Sequence, residues 1–222
     1  MRLPRKQIPL ATVVVALLLP RAVSGADPGL RSSTQQERAG PQSPARLFRL
    51  GTQEIGIAAG YGLALRFVGE TGDDEELRDV QYIYVTPRWG IGISDPMGGD
   101  AWYRGNLELL AEGAFLLNLE PKDGFAGGIT AMFRYNFLPA GVFIPFVEAG
   151  AGILSLDFDL MNRSDGLNFT PQAGFGFHYF VSDRTAFTGE WRYHHISNGA
   201  VERPNLGINS SLFLIGLTFF LR

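Results

Sequence analysis

The feature that most constrains the fold is an alternation of apolar and polar residues that recurs from Gln53 to the C-terminus. Alternation with a period of two is typical of β-strands, because successive side chains of a strand point to opposite faces. An even number of long strands with short connections predicts an all-β fold, an antiparallel up-and-down barrel of eight strands. The alternating segments are 53–68, 79–91, 104–117, 124–137, 142–156, 167–180, 184–197 and 208–221.

The two faces of these segments indicate what surrounds the barrel. Odd positions are mostly apolar or aromatic, as with Ile57 and Tyr61, and charged residues lie on even positions. Charges cannot be scattered unpaired through a dry core, but they can neutralise one another in a polar lumen. Residues 51–222 are therefore predicted to form a transmembrane barrel with a polar lumen and a lipid-facing outer wall. The even-position charges are Glu54, Arg66, Arg88, Glu108, Glu112, Arg134, Glu148, Glu190 and Arg192.

The alternative is a soluble β-barrel or sandwich with exposed charges. Segment length argues against it, since soluble strands average about 5–6 residues and tilted membrane strands need about 9–11. The segment 79–91 does not reveal its lumen face, because Tyr82 and Tyr84 alternate with Ile83 and Val85.

The N-terminus has the pattern of an export signal. Three basic residues, Arg2, Arg5 and Lys6, precede an apolar run that is too short to span a bilayer. Residues 1–26 are predicted to be a signal peptide, cleaved after Ser24 or Ala26, with an uncleaved anchoring helix as the alternative. Residues 27–50, rich in Pro, Ser, Gln, Gly and Arg, are predicted to be a flexible tail. An exported barrel of this kind belongs in the bacterial outer membrane, with both ends periplasmic and residues 198–207 in an external loop.

Composition excludes several functions. Removal of residues 1–26 leaves 15 basic and 22 acidic residues, a net charge of −7. With no basic stretch, the chain is not expected to bind nucleic acid. It has no cysteine, which excludes disulfides, thiolate catalysis and Cys-ligated zinc.

The strongest candidate for chemistry lies where the seventh segment ends. His195 and Ser197 have the parity of the lipid-facing residues, that is, they lie at odd-numbered positions. Asn209 has the same parity on the neighbouring strand. A serine and a histidine two residues apart supply a nucleophile and its base, and a third group, here Asn209, would orient the imidazole. Asn198 and Asn205 could stabilise an oxyanion. On a face bathed in acyl chains the natural electrophile is a lipid ester; the alternative is a rim His and Ser that bind lipid headgroups.

A second group of polar residues in the same stretch has the opposite parity. Glu190, Arg192 and His194 are predicted to point into the lumen and to form a polar network there. No metal site and no cofactor are predicted.

Residues 192–198 (RYHHISN) with 204–208 (PNLGI) resemble the signature of the lipid A 3-O-deacylase (PagL-like) family, acyloxyacyl hydrolases of the outer membrane. The resemblance implies an eight-stranded barrel that hydrolyses an ester-linked acyl chain of lipid A, so the expected partner is lipopolysaccharide. It implies that His195 is the catalytic histidine and Ser197 the nucleophile, and that Asn198 and Asn205 support the oxyanion. The acid that orients the histidine in the family falls at Asn209, which is an amide here.

That departure limits the expected activity. An amide oxygen can accept a hydrogen bond from the imidazole but cannot stabilise the imidazolium by charge, which costs up to about 10⁴-fold in the best-known triad. Glu190 has the wrong parity to substitute, whereas Glu202 in the external loop could fold back. The alternatives are a non-catalytic structural or adhesive barrel and a small channel, for which eight strands leave little room. Pairing of two barrels as a homodimer stays open.

Overall fold

A computed structural model shows a closed antiparallel barrel, and it describes residues 43–65, 75–139, 141–160, 165–201, 203 and 206–221. Consecutive strands pair with each other, except that β6 and β7 both pair with β5, and β1 pairs with β9 to close the sheet. The strands are β1 (Gln53–Ala64), β2 (Gln81–Gly92), β3 (Gly105–Glu120), β4 (Gly124–Phe137), β5 (Phe143–Asp157), β6 (Gly166–Phe169), β7 (Gln172–Phe180), β8 (Thr185–Ile196) and β9 (Ile208–Phe220).

The short strands β6 and β7 are two parts of one barrel strand, because both pair with β5. They are separated by Thr170 and Pro171, and a proline cannot donate a ladder hydrogen bond. The barrel therefore has eight strands, which confirms the predicted fold. The segment 167–180 was predicted as one strand, and the interruption at Pro171 is the difference.

Helical structure is minor. A one-turn 3₁₀ helix covers Pro44–Leu47 and a one-turn α-helix covers Glu75–Arg78. Within the described ranges, no helix is long and apolar enough to cross a membrane.

Burial follows the predicted parity. Among odd positions, Ile57 keeps 54% of its surface exposed, as expected for a side chain that faces lipid. In β2 the ambiguity is resolved, because Tyr82 and Tyr84 are fully buried whereas Ile83 is 39% exposed. Arg66 lies outside the described residues. The remaining charged residues at even positions are all buried: Glu54, Arg88, Glu108, Glu112, Arg134, Glu148, Glu190 and Arg192.

These buried charges pair across the lumen. Arg192 on β8 reaches the opposite wall, where its guanidinium donates to Glu112 on β3 at 2.7 and 2.8 Å. Arg134 on β4 contacts Glu54 on β1 at 3.2 Å, and Arg88 on β2 pairs with Glu190 on β8. Side chains from several strands thus bond to one another across the lumen and connect its walls.

One end of the barrel is covered by residues 43–50, here called the N-terminal strap. Phe48 is buried there, with its ring centroid 5.1 Å from that of Phe220 and 6.0 Å from that of Phe180. The predicted flexible tail, which ends at residue 50, therefore extends too far along the chain, because Phe48 is buried against Phe180 and Phe220 at this end of the barrel. Residues 1–42, with the predicted signal peptide and the rest of the tail, lie outside the described residues.

Candidate active site

The end of the barrel away from the strap brings the predicted site residues together. His195 and Asn209 lie directly opposite each other in the pairing of β8 with β9. Ser197 follows β8 and forms an isolated bridge with Phe169 at the end of β6. Because His195, Ser197 and Asn209 are all odd-numbered residues in extended chain, their side chains emerge on one face of the wall.

Two hydrogen bonds connect the three side chains in a line. His195 Nε2 lies 3.0 Å from Ser197 Oγ, and His195 Nδ1 lies 2.7 Å from Asn209 Oδ1. Asn209 Oδ1 can only accept, so Nδ1 carries the hydrogen and the Nε2 lone pair accepts from the Ser197 hydroxyl. This is the tautomer that a general base for Ser197 requires.

Sequence reasoning missed two neighbours of this line. The Tyr193 hydroxyl donates to the same Asn209 Oδ1 at 2.5 Å. Gly207 is buried beside the imidazole, where a Cβ would lie only 2.7 Å from His195 Cε1. The signal for Tyr193 was its parity, which it shares with His195 and Ser197; Gly207 carried no signal beyond its closeness to Asn209 in sequence.

Of the two predicted oxyanion donors, the structure describes Asn198 only. Asn198 is buried, and its Oδ1 accepts from the Ala200 N–H at 2.9 Å in a turn that includes Gly199, whose φ is +66°. Asn205 lies outside the described residues. The Ser197 N–H is already bonded to Phe169 O at 3.1 Å, so oxyanion donors have to come from elsewhere.

The lumen group stays apart from this line, as its parity predicted. Glu190 bonds to Arg88 and to Arg192, the latter at 2.9 Å, so it does not serve as the third member of the line. His194 is bonded at both ring nitrogens, to the Tyr82 hydroxyl at 2.7 Å and to Thr170 Oγ1 at 2.5 Å. In the described part of the chain, no group of three or more His, Asp and Glu side chains is arranged to hold a metal ion.

Residues 59–218 match the family model described as lipid A 3-O-deacylase (PagL). The chain belongs to the PagL family. That finding confirms the resemblance inferred from residues 192–208, and it places the chain in the bacterial outer membrane.

The fold of this PagL-family barrel also occurs in the crystal structure of the outer membrane enzyme PagL. The crystal structure of the outer membrane enzyme PagL aligns with 73% of this chain and 97% of that chain, at 18% identity and a TM-score of 0.53. The crystal structure of Neisserial surface protein A aligns with 75% of this chain and 96% of that chain, at 16% identity and a TM-score of 0.49. No curated protein matches the chain significantly.

The outer wall of this PagL-family barrel has a groove that reaches Phe169. Its volume is about 630 Å³, and its floor consists of alanines that lie side by side on β3, β4 and β5. Phe169 stands between the groove and Ser197, since it lines the one and is bridged to the other. The residues that line the groove are Ala111, Glu112, Gly113, Ile129, Thr130, Ala131, Ala151, Gly152, Ile153 and Phe169.

Proposed function

We propose that this protein is an outer-membrane esterase that hydrolyses an ester-linked fatty acyl chain of lipid A, by a Ser-His mechanism. The observation that carries the proposal is the hydrogen-bonded line from Ser197 through His195 to Asn209 on the lipid-facing wall. Membership of a family of lipid A deacylases supports the choice of substrate. Lipid A lies in the leaflet that the external end of such a barrel meets.

The proposed reaction has two halves. Ser197 Oγ attacks the ester carbonyl while His195 Nε2 takes its proton, and the tetrahedral intermediate collapses as the imidazolium returns that proton to the leaving sugar hydroxyl. Water, deprotonated by His195, then hydrolyses the acyl-enzyme and releases the fatty acid. Asn209 holds the imidazole throughout, and Asn198 and Asn205 are the proposed oxyanion donors. The reaction requires no metal and no organic cofactor.

The groove beside Phe169 is the proposed place for the acyl chain. Its floor of alanines and its wall of Ile129 and Ile153 offer an apolar channel that ends at Phe169, the bridge partner of Ser197. Lipid tails are as apolar as this surface, so entry from the bilayer gains little hydrophobic free energy. The groove would act by aligning the ester with Ser197 rather than by attracting the chain.

The test is deacylation by the purified barrel in detergent micelles with lipopolysaccharide as substrate. We expect wild type to release 3-hydroxy fatty acid, detected by mass spectrometry together with lipid A lighter by one acyl group. Ser197→Ala should abolish release, because it removes the nucleophile while the barrel keeps its fold. His195→Gln should do the same, since it removes the base.

Release that is equal in wild type and Ser197→Ala would sink the Ser-His proposal. No release from folded wild type would favour the alternative, a non-catalytic structural or adhesive barrel that keeps the motif but lacks the acid. Folding is checked independently by the shift in electrophoretic mobility between unheated and boiled samples.

A further inference from the structure

An amide in the position of a catalytic acid has an orientation problem that a carboxylate does not have. Both oxygens of a carboxylate accept hydrogen bonds, so either can face His195. The Asn209 side chain offers an oxygen on one side and an NH₂ group on the other. If the amide turned over, its NH₂ would donate to His195 Nδ1, the imidazole hydrogen would move to Nε2, and Nε2 could no longer accept from Ser197.

The structure contains a second contact on the same amide oxygen. The Tyr193 hydroxyl lies 2.5 Å from Asn209 Oδ1. That separation suits an O–H···O hydrogen bond and is shorter than N–H···O hydrogen bonds in proteins, which span about 2.7–3.2 Å. Tyr193 and His195 therefore both donate to one oxygen, at 2.5 and 2.7 Å.

We propose that Tyr193 is a positioning residue that keeps the Asn209 oxygen turned toward His195, and thereby keeps the hydrogen of His195 on Nδ1. This inference rests on the proposed esterase function, because the tautomer matters only if His195 is the base for Ser197. Tyr193 bonds to Asn209 Oδ1 and acts through it, whereas a carboxylate at this position would present an accepting oxygen to His195 in either orientation.

The position of Tyr193 in the barrel fits this role. It lies two residues before His195 on the lipid-facing side of β8, and the ladder pairs it with Ser211, two residues after Asn209. Its hydroxyl thus reaches Asn209 diagonally across two strands that are fixed by continuous pairing. A tyrosine side chain has only two rotatable bonds before its rigid ring, so its hydroxyl is suited to hold a neighbour in one orientation.

The first test is a double-mutant cycle on the deacylation rate. Tyr193→Phe should lower kcat by about threefold to tenfold with KM unchanged, the ordinary net effect of one hydrogen bond. Asn209→Asp keeps the shape of the side chain but offers two accepting oxygens. In that background Tyr193→Phe should change kcat by no more than about twofold.

A matched control is available on β1. The Tyr61 hydroxyl donates to Gln81 Oε1 at 2.6 Å on the same lipid-facing wall, away from Ser197. Tyr61→Phe should leave kcat unchanged in both backgrounds. An equal loss from Tyr193→Phe with Asn209 and with Asp at 209 would overturn the proposal, since it would show a structural role that does not depend on the amide.

The second test reads the tautomer without any activity. In ¹⁵N-labelled barrel in micelles, the two ring nitrogens of His195 report where the hydrogen sits. Wild type should show the hydrogen on Nδ1, Tyr193→Phe should show a mixture with Nε2, and Tyr193→Phe with Asn209→Asp should return to Nδ1. An unchanged Nδ1 tautomer in Tyr193→Phe would refute the inference. If wild type releases no fatty acid, the proposed function fails, while this measurement still decides the role of Tyr193.

Discussion

The family resemblance implies an acid at position 209, where this chain has Asn209. The amide retains one property of that acid, which is to orient the imidazole of His195. Its oxygen fixes the imidazole through a 2.7 Å hydrogen bond, which preserves orientation and tautomer. In the proposed reaction it would bring no negative charge to the imidazolium that forms during attack, so the chemical step should be slower than with a carboxylate. Orientation and charge, which one acid usually supplies together, are separated here.

Gly207 provides the sharpest test of packing around His195. A Cβ at this position would lie 2.7 Å from His195 Cε1 and 3.4 Å from Nε2, so Gly207→Ala must displace the ring. A displacement of about 1 Å at a reacting group costs on the order of 10²-fold in rate. We therefore expect kcat on lipopolysaccharide to fall by roughly that factor.

The control for this variant is Gly127→Ala on the lipid face of β4, where the nearest atom to a new Cβ is a ring carbon of Phe125 at 3.2 Å, part of a side chain that can move. It should leave kcat near the wild-type value. If Gly207→Ala were as active as Gly127→Ala, the imidazole position would not be limited by Gly207.

Alternation along the strands predicts the face on which a side chain lies but not the residues that it contacts. Parity placed His195, Ser197 and Asn209 on the outer wall and His194 in the lumen, because a strand has only two faces. It did not reveal that Tyr193 meets Asn209 or that Gly207 borders His195. Those contacts depend on side-chain rotamers and on the register between β8 and β9, and the alternation of apolar and polar residues determines neither.

The groove on β3, β4 and β5 shows how strand register produces a surface feature. Ala111 pairs with Ala131 and Ala131 with Ala151, so three small side chains line up across neighbouring strands. Bulky neighbours, among them Ile129, Ile153 and Phe169, stand above this row. The depression therefore arises from the pairing of strands and not from any one of them.

Filling the groove should impair the alignment of a long acyl chain. Ala151→Phe places a ring on the floor, and we expect kcat/KM on lipopolysaccharide to fall by about tenfold to a hundredfold, the scale of a misaligned ester. A soluble short-chain ester, which does not reach along the groove, should be hydrolysed at nearly the wild-type rate. The measurement is the ratio of the two kcat/KM values.

Ala59→Phe on β1 is the matched control, because it makes the same substitution on the exposed lipid face away from the groove. It should leave the ratio unchanged. An equal loss on long and short substrates in Ala151→Phe would point to a general disturbance of the site instead of a blocked groove.

The strands were predictable from the sequence where the two-residue alternation of apolar and polar side chains is continuous. Strand β4 has the predicted bounds, and the other long strands begin and end within a few residues of theirs. The break between β6 and β7 was missed although Pro171 marks it, because alternation continues on both sides. The strap was missed because Phe48 is a lone aromatic residue, and a lone residue has no period.

The whole molecule is held together through its lumen. Arg88, Arg134 and Arg192 each bond to glutamates on other strands, and Arg134 and Arg192 share Glu148. Such a filled interior leaves little room for a channel, which was one of the alternatives raised by the sequence. The proposed active-site residues His195, Ser197 and Asn209 lie instead on the outer wall.

Removing one member of this network should destabilise the barrel strongly. Arg192 is fully buried and contacts Glu112, Glu148 and Glu190 at 2.7–2.9 Å. Arg192→Met would remove the guanidinium that contacts all three carboxylates and leave them to Arg88 and Arg134. Breaking a buried pair on one side costs about 3–5 kcal/mol. The free energy of unfolding, from urea titration of tryptophan fluorescence in micelles, should fall by that amount.

The comparison that makes this prediction specific is Arg46→Met. Arg46 pairs with Asp183 at 3.9 Å, and the two side chains are 40% and 73% exposed, so the loss should be no more than about 1 kcal/mol. Arg192→Lys keeps a charge but not the planar fork, and should fall between the two because one ammonium cannot serve three carboxylates equally. Equal unfolding free energies for Arg192→Met and Arg46→Met would mean that water already screens the lumen, and that strand pairing alone holds the barrel.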